Sequence, residues 1–409
     1  MLQEARTVDR ELRKIYGFLR SLAFPALLVC ITVLRFCVRP KAAAPEAMPS
    51  VTGVVVGPKE LVFDTRNGCE EIDIPDEPAR AFRDYNGVVH LIATHFVARA
   101  MIGPSLDQLR RDCRVIYRSP QDPDPSRFQD KNWLFSFYSS DGRRVAALVH
   151  SEYHGYEVPG MCATPEDWGN CWWNTITFAE SLDGGYSFRA LTAPRNLIAS
   201  LPYRYVVGNR KGEYGYNEPT NIQRVGGLYY ALINDWSYKA QEYGPCLIRT
   251  SNVFVPGSWR AWDGKDFTIR FANPYQETIA KPEEHVCTPV YTGTADSLVQ
   301  HARSGIFIAT QSAPDDRFGG PAGFYIQASR DLLHWSKPTL LMKLSDLRAT
   351  DGLGQWDYAY VSLLDPLSAD RNFSTVSDMP YIYYVRFDEN HPPYVRVLFR
   401  RQIKLQFSR

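Results

Sequence analysis

From about residue 51 the chain alternates short apolar runs with Gly, Asp, Asn and Pro. The apolar residues recur with a period near two, which predicts strands rather than helices. Residues 88–97 (VVHLIATHFV) follow the turn Asp84-Tyr85-Asn86-Gly87. Residues 133–140 and 144–154 flank Asp141-Gly142 and predict a hairpin. Residues 175–181 run into Asp183-Gly184-Gly185, and 221–235 fold back at Gly226-Gly227. Further strand-like runs occupy 246–252, 305–312, 323–330, 358–364 and 379–387, and 394–405 close the chain. Only 107–113, with a few residues either side, reads as a helix. The expectation is an all-β body of repeated meanders.

The N-terminus has a different pattern. Residues 21–34 (SLAFPALLVCITVL) are fourteen positions without a charge, preceded by Arg6, Arg10, Arg13, Lys14 and Arg20 and followed by Arg35, Arg39 and Lys41. A full membrane span needs about 20 apolar residues. Three readings stay open: a signal-anchor whose flanking arginines snorkel, a signal peptide cut near Ala42-Ala43-Ala44, or a buried helix. The chain then divides into a hydrophobic N-terminal helix at 1–38 as anchor or signal, an Ala/Pro linker at 39–50 and the body at 51–409. The anchor reading makes the membrane a partner through this segment, and the first two readings place the body outside the cytoplasm, anchored or secreted.

Cysteine usage agrees with export. Cys30 and Cys37 lie in or beside the apolar segment, leaving Cys69, Cys113, Cys162, Cys171, Cys246 and Cys287. Six cysteines allow fifteen pairings. Cys162 and Cys171 lie nine apart in a loop-like stretch and are expected to bridge. No CxxC pair suggests zinc. Asn372-Phe373-Ser374 is the single N-glycosylation sequon.

Composition narrows the function. Lys plus Arg is 46 and Asp plus Glu is 45, a net charge of +1, which gives no nucleic-acid footprint. The 24 Tyr, 21 Phe and 9 Trp suit carbohydrate surfaces. Neither a GxGxxG after a strand nor a P-loop nor a G-x-S-x-G elbow occurs.

Two strand-end turns recur. Residues 181–188 read SLDGGYSF and 329–335 read SRDLLHW. In each, Asp is expected to cap a tight turn while an aromatic packs beneath. These resemble the Asp-box of sialidases and the S-x-D-L-x-x-W turn of five-bladed glycoside hydrolases. The resemblance implies a five-bladed β-propeller in which Asp183 and Asp331 are structural, with strand 51–63 completing the last blade.

Three constellations carry candidate chemistry. Around Asp76-Glu77-Pro78, a carboxylate lies just before a strand. This resembles the first-blade motif of glycoside hydrolase family 43 and its family 32-like relatives, where an Asp-Pro step supplies the general base. Glu77 intervenes here, so either carboxylate can be the matching one. The run Glu218-Pro219 to Ile233 resembles the E-G-P…G-x-Y-Y-L stretch that carries the general acid there, with the usual Gly absent. The third is His150, Glu152 and His154, which strand spacing puts on one face as substrate or ion contacts.

The resemblance further implies a carboxylate that adjusts the acid, for which Asp124 and Asp130 are candidates. Arg80, Trp356, Asp357 and Tyr358 complete the expected substrate contacts. The implied partner is an oligo- or polysaccharide. No motif defines a metal site or a cofactor, and the resemblance leaves room only for a structural calcium ion in the propeller channel. A sialidase-like hydrolase would need an arginine triad drawn from Arg80, Arg249, Arg303 and Arg386. A non-catalytic glycan-binding propeller is the remaining alternative.

Overall fold

The computed structural model describes residues 48–408 except 167–168, 208–211, 315, 317–318, 352–356 and 388–394. The expected N-terminal anchor and most of the linker lie outside the described residues, as does Trp356. No helix among the described residues is long and apolar enough to cross a membrane.

The described chain from Met48 onward belongs to one compact unit and is mostly β. Antiparallel hairpins dominate, as the period-two pattern predicts. Arg80–Arg83, Val89–Ile92, Met101–Gly103 and Arg110–Arg111 form a four-stranded meander. Lys131–Tyr138, Val145–His154 and Trp172–Ser181 follow and are buried on both faces almost throughout. Glu213–Asn217 joins them to the next meander in one ten-stranded sheet, running parallel to Trp172–Asn174 and antiparallel to the end of Leu228–Trp236. Ser297–His301, Phe307–Ala313, Gly323–Ser329 and Thr339–Lys343 form a five-stranded sheet with Thr375–Val376. The last sheet contains Asp357–Leu364, Tyr381–Phe387 and Arg396–Ser408. Ser50–Val55 pairs with that final strand in register Ser50↔Ser408, so the two ends of the described chain share a sheet.

The turns follow from short polar side chains. Asp141 Oδ1 accepts from the amides of Arg143 and Arg144. Gly142 sits at φ +77°, and a Cβ there would lie 2.5 Å from backbone atoms of Asp84 and Tyr85. Asp183 accepts from the Ser187 amide and hydroxyl, and Asp331 from the amides of Leu333 and His334.

Two expectations about elements fail. Residues 107–113 are not helical, because Arg110–Arg111 pairs with Met101–Ile102 and Arg111 is ion-paired to buried Asp73. The disulfide Cys69–Cys113 fixes the end of that segment. A helix forms instead at Leu344–Asp351, where Leu344 and Leu347 are buried. Three disulfides are present among the described residues, Cys69–Cys113, Cys162–Cys171 and Cys246–Cys287. The sequon residue Asn372 is buried and exchanges hydrogen bonds with the Ser139 backbone in both directions. Its amide is thus committed to the fold.

Candidate active site

Hairpin registers bring strand ends to one common edge. Lys131 pairs with Glu152, Trp133 with His150, and Trp172 with His154. Alternation along Val145–His154 sends His150, Glu152 and His154 to the same side, as the sequence predicts. Asp76 precedes Arg80–Arg83, Glu218 follows Glu213–Asn217, Tyr360 lies in Asp357–Leu364, and Arg396 opens the final strand. These residues line one cavity of about 440 Å³, together with His95, Phe96, Phe135, Tyr156, Glu157 and Glu213.

Asp76 is surrounded by donors. The Arg396 guanidinium pairs with Oδ1, and the Tyr360 hydroxyl donates to the same oxygen at 3.1 Å. Trp133 Nε1 donates to Oδ2 at 3.3 Å, and His95 Nε2 stands 3.6 Å away. Glu77 turns the other way. It is fully buried, accepts only the Thr94 amide at 3.1 Å, and leaves Oε2 without a partner. Burial pushes its carboxyl well above the usual glutamate range, which keeps it neutral. Of the two adjacent carboxyls, only Asp76 reaches the cavity.

Glu218 sits in the left-handed region, at φ +44°, and opens onto the cavity. Burial, then the charges of Asp296, Glu213 and Glu152, hold its carboxyl well above the usual range. The Asn234 amide, 3.4 Å from Oε2, pulls the other way. Glu213 is pushed up to about 7 by burial and by Glu152.

The histidine cluster is internally neutralised. Burial lowers the affinity of His154 for a proton, but bonds to Glu152 at 2.8 Å and Glu157 at 3.2 Å outweigh it and hold the imidazole at about 9. Lys131 Nζ lies 2.8 Å from Glu157 Oε2. His150 is fully enclosed, and burial lowers its pKa, so it stays neutral beside Glu152 at 3.5 Å. Glu152 is flanked by two imidazoles, and no group of three or more ligating side chains among the described residues could hold a metal ion.

Several expected contacts lie elsewhere. Asp130 is buried behind the cavity wall, where it accepts the His154 amide at 2.9 Å, and Asp124 caps a short turn at Ser126. Asp296, not Asp130, is the nearby charge that most affects Glu218. Arg80 is buried, and its Nη2 donates to the carbonyls of Asp296 at 2.5 Å and Pro219 at 3.5 Å, beneath the cavity rather than in it. Tyr358 donates to Asp351, and Asp357 pairs with Arg348 at the surface. The pairing of this strand shifts register between Ala359 and Ser362, and Tyr360, at φ +60°, reaches the site instead.

The arginine triad is not assembled either. Arg249 pairs with Asp266, Arg303 with Asp378 and Arg386 with Asp351. Sequence reasoning missed Glu213, Tyr360, Arg396, Trp133, Asn234 and Asp296.

No family model and no curated protein matches the chain. Solved structures give distant likenesses. One is the catalytic domain of a GH62 α-L-arabinofuranosidase from Coprinopsis cinerea, at 14% identity over 87% of this chain and 97% of that one, TM-score 0.42. A second is a thermostable family-43 glycoside hydrolase, at 10% identity, 82% and 93% coverage, TM-score 0.44. A third is an N-acetylgalactosamine deacetylase from F. plautii in complex with blood group B trisaccharide, at 9% identity, 86% and 95% coverage, TM-score 0.46. Likenesses at this level leave the chemistry to be argued from the site.

Proposed function

We propose that the protein is a glycoside hydrolase whose body is a five-bladed β-propeller. Five successive antiparallel groups support that count: 80–111, 131–199, 223–261, 297–343 and 357–408 completed by 50–64. The observation that carries the activity is the pairing of unlike carboxyls in one aromatic-walled cavity. Glu218 is held protonated, while Asp76 is paired with Arg396. Two carboxyls kept apart in this way are what glycosidic cleavage uses.

In this reading a sugar ring lies against Trp133, Phe96 and Trp172. Glu218 gives its proton to the glycosidic oxygen as the bond to the anomeric carbon breaks. Water adds to that carbon and its proton passes to Asp76, with inversion, as in the family the sequence resembles. Glu152 and the charged His154 hold hydroxyls. Three disulfides favour an oxidising compartment, so the glycan is extracellular or part of the cell envelope.

The test is turnover of a broad oligosaccharide panel by the wild type and Glu218→Gln. Loss of a general acid costs about 10²–10⁴-fold, so the variant should lose that much while retaining glycan affinity. Full activity in Glu218→Gln overturns the assignment. One observation favours a second reading, a glycan-binding module: Asp76 already accepts three donors, leaving little capacity for water. Glycan binding by the wild type without turnover would select it.

A further inference from the structure

Asn234 has its side chain spoken for on three sides. It is buried on Leu228–Trp236, directly opposite Asn217 in the sheet register and so next to Glu218. Its Oδ1 accepts from the Ala295 amide at 2.7 Å, and Nδ2 donates to the Ala295 carbonyl at 3.2 Å. A backbone N–H needs an acceptor and a carbonyl needs a donor, so this two-point contact admits one amide orientation only. The second Nδ2 hydrogen is then directed at Glu218 Oε2, 3.4 Å away.

The backbone beyond Glu218 is held from the other side. The Pro219 carbonyl accepts from Ser136 Oγ at 2.7 Å and from Arg80 Nη2 at 3.5 Å. Arg80 Nη2 also holds the carbonyl of Asp296, the residue after Ala295. One set of buried bonds therefore ties the segment carrying Glu218 to the segment that orients Asn234.

We propose that Asn234 is the positioning residue of this site: its clamped amide fixes Glu218 Oε2 as an acceptor, leaving Oε1 to carry the proton that is delivered. The inference rests on reading Glu218 as the acid, and it makes a claim that does not need a glycan. A donor aimed at a carboxyl favours its charged form, whereas the neighbouring Asp296 carboxylate favours the neutral form. The two neighbours must therefore act on the Glu218 titration with opposite sign.

The experiment is a pH titration of the Glu218 carboxyl by ¹³C NMR of the full chain, assigned with Glu218→Gln. Asn234→Asp keeps an acceptor for the Ala295 amide but replaces the donor with an oxygen. It should raise the Glu218 midpoint by at least one pH unit, a tenfold change in proton affinity. Asn234→Ala should raise it by less, and Asp296→Asn should lower it. A loosened site that admits water would lower the midpoint in all three variants, and that result, or no shift in the Asn234 variants, overturns the proposal.

A wild-type measurement covers variants that fail to fold. The Asn234 side-chain N–H resonances should move with the Glu218 titration and lose that pH dependence in Glu218→Gln. Resonances indifferent to Glu218 overturn the proposal. Failure of the glycosidase reading would appear separately, as absent turnover with these titrations intact.

Discussion

The two walls of the cavity treat a carboxyl in opposite ways. On one, Asp76 meets a guanidinium, a phenol and an indole N–H, all of them donors. On the other, Glu218 is held neutral by burial and then by the charges of Asp296, Glu213 and Glu152, with a single amide donor at 3.4 Å. Burial of Glu218 is the first part of this difference, and the neighbouring charges are the second. The strand ends deliver unlike neighbours to the two carboxyls, and the proposed mechanism assigns one as base and the other as acid on that ground.

The strongest way to break the contrast on the donor-rich wall is Asp76→Asn. It should cost about 10²–10⁴-fold in kcat, measured on any glycan the wild type cleaves. An unaffected kcat would remove Asp76 from the chemistry.

Asp296→Asn acts on the other wall and should have an intermediate effect. Asp296, pushed up to about 6 by burial, carries charge above that pH and raises Glu218. Removing that charge lets Glu218 lose its proton earlier. The alkaline limb of the kcat/KM profile should therefore move to lower pH, and an unmoved limb contradicts the assignment.

Glu77→Gln sharpens the contrast by testing the carboxyl that neither wall uses. Turnover should change less than about threefold, within the small range of substitutions away from reacting groups. Stability should change with a definite sign. The folded Glu77 binds its proton more tightly than the unfolded chain does, so wild-type stability falls as pH rises above the ordinary glutamate value of 4.5. The Tm of Glu77→Gln minus that of the wild type should grow with pH over that range, as read by calorimetry. A flat difference would mean that the folded carboxyl is not held neutral.

The smallest effect on catalysis is expected from Cys162→Ser. The bridge closes a nine-residue separation beside Trp172, at the rim of the histidine wall. Its loss should cost roughly 2–3 kcal/mol of stability by loop entropy. Denaturant unfolding would measure this, with kcat nearly unchanged at temperatures where the variant stays folded.

Much of the architecture was legible because strands announce themselves locally. The runs at 144–154 and 323–330 are read from alternation and turn residues, and the structure places Val145–His154 and Gly323–Ser329 there. The segment at 107–113 misled because its fate is set by distant partners, Cys69 and Asp73. The site divides in the same way. Short motifs and strand period singled out Glu218, Asp76 and the His150–Glu152–His154 face, and all five line the one cavity. Arg396 was not, since it meets Asp76 across 320 positions of sequence and only the sheet topology brings them together. Asn234 and Asp296 were equally hidden, because their roles depend on contacts made through Ala295 and Arg80 rather than on any local pattern.

The measurement that tests the central claim most directly is the dependence of Glu218→Gln on the leaving group. A departing alcohol needs a proton, which the proposed mechanism takes from Glu218, whereas 2,4-dinitrophenolate leaves without one. Relative to the wild type, the variant should lose about 10²–10⁴-fold on an unactivated glycoside and only a few-fold on the matching 2,4-dinitrophenyl glycoside. An equal loss on both substrates would contradict the account, because Glu218 would then serve the site in some way other than by giving up a proton.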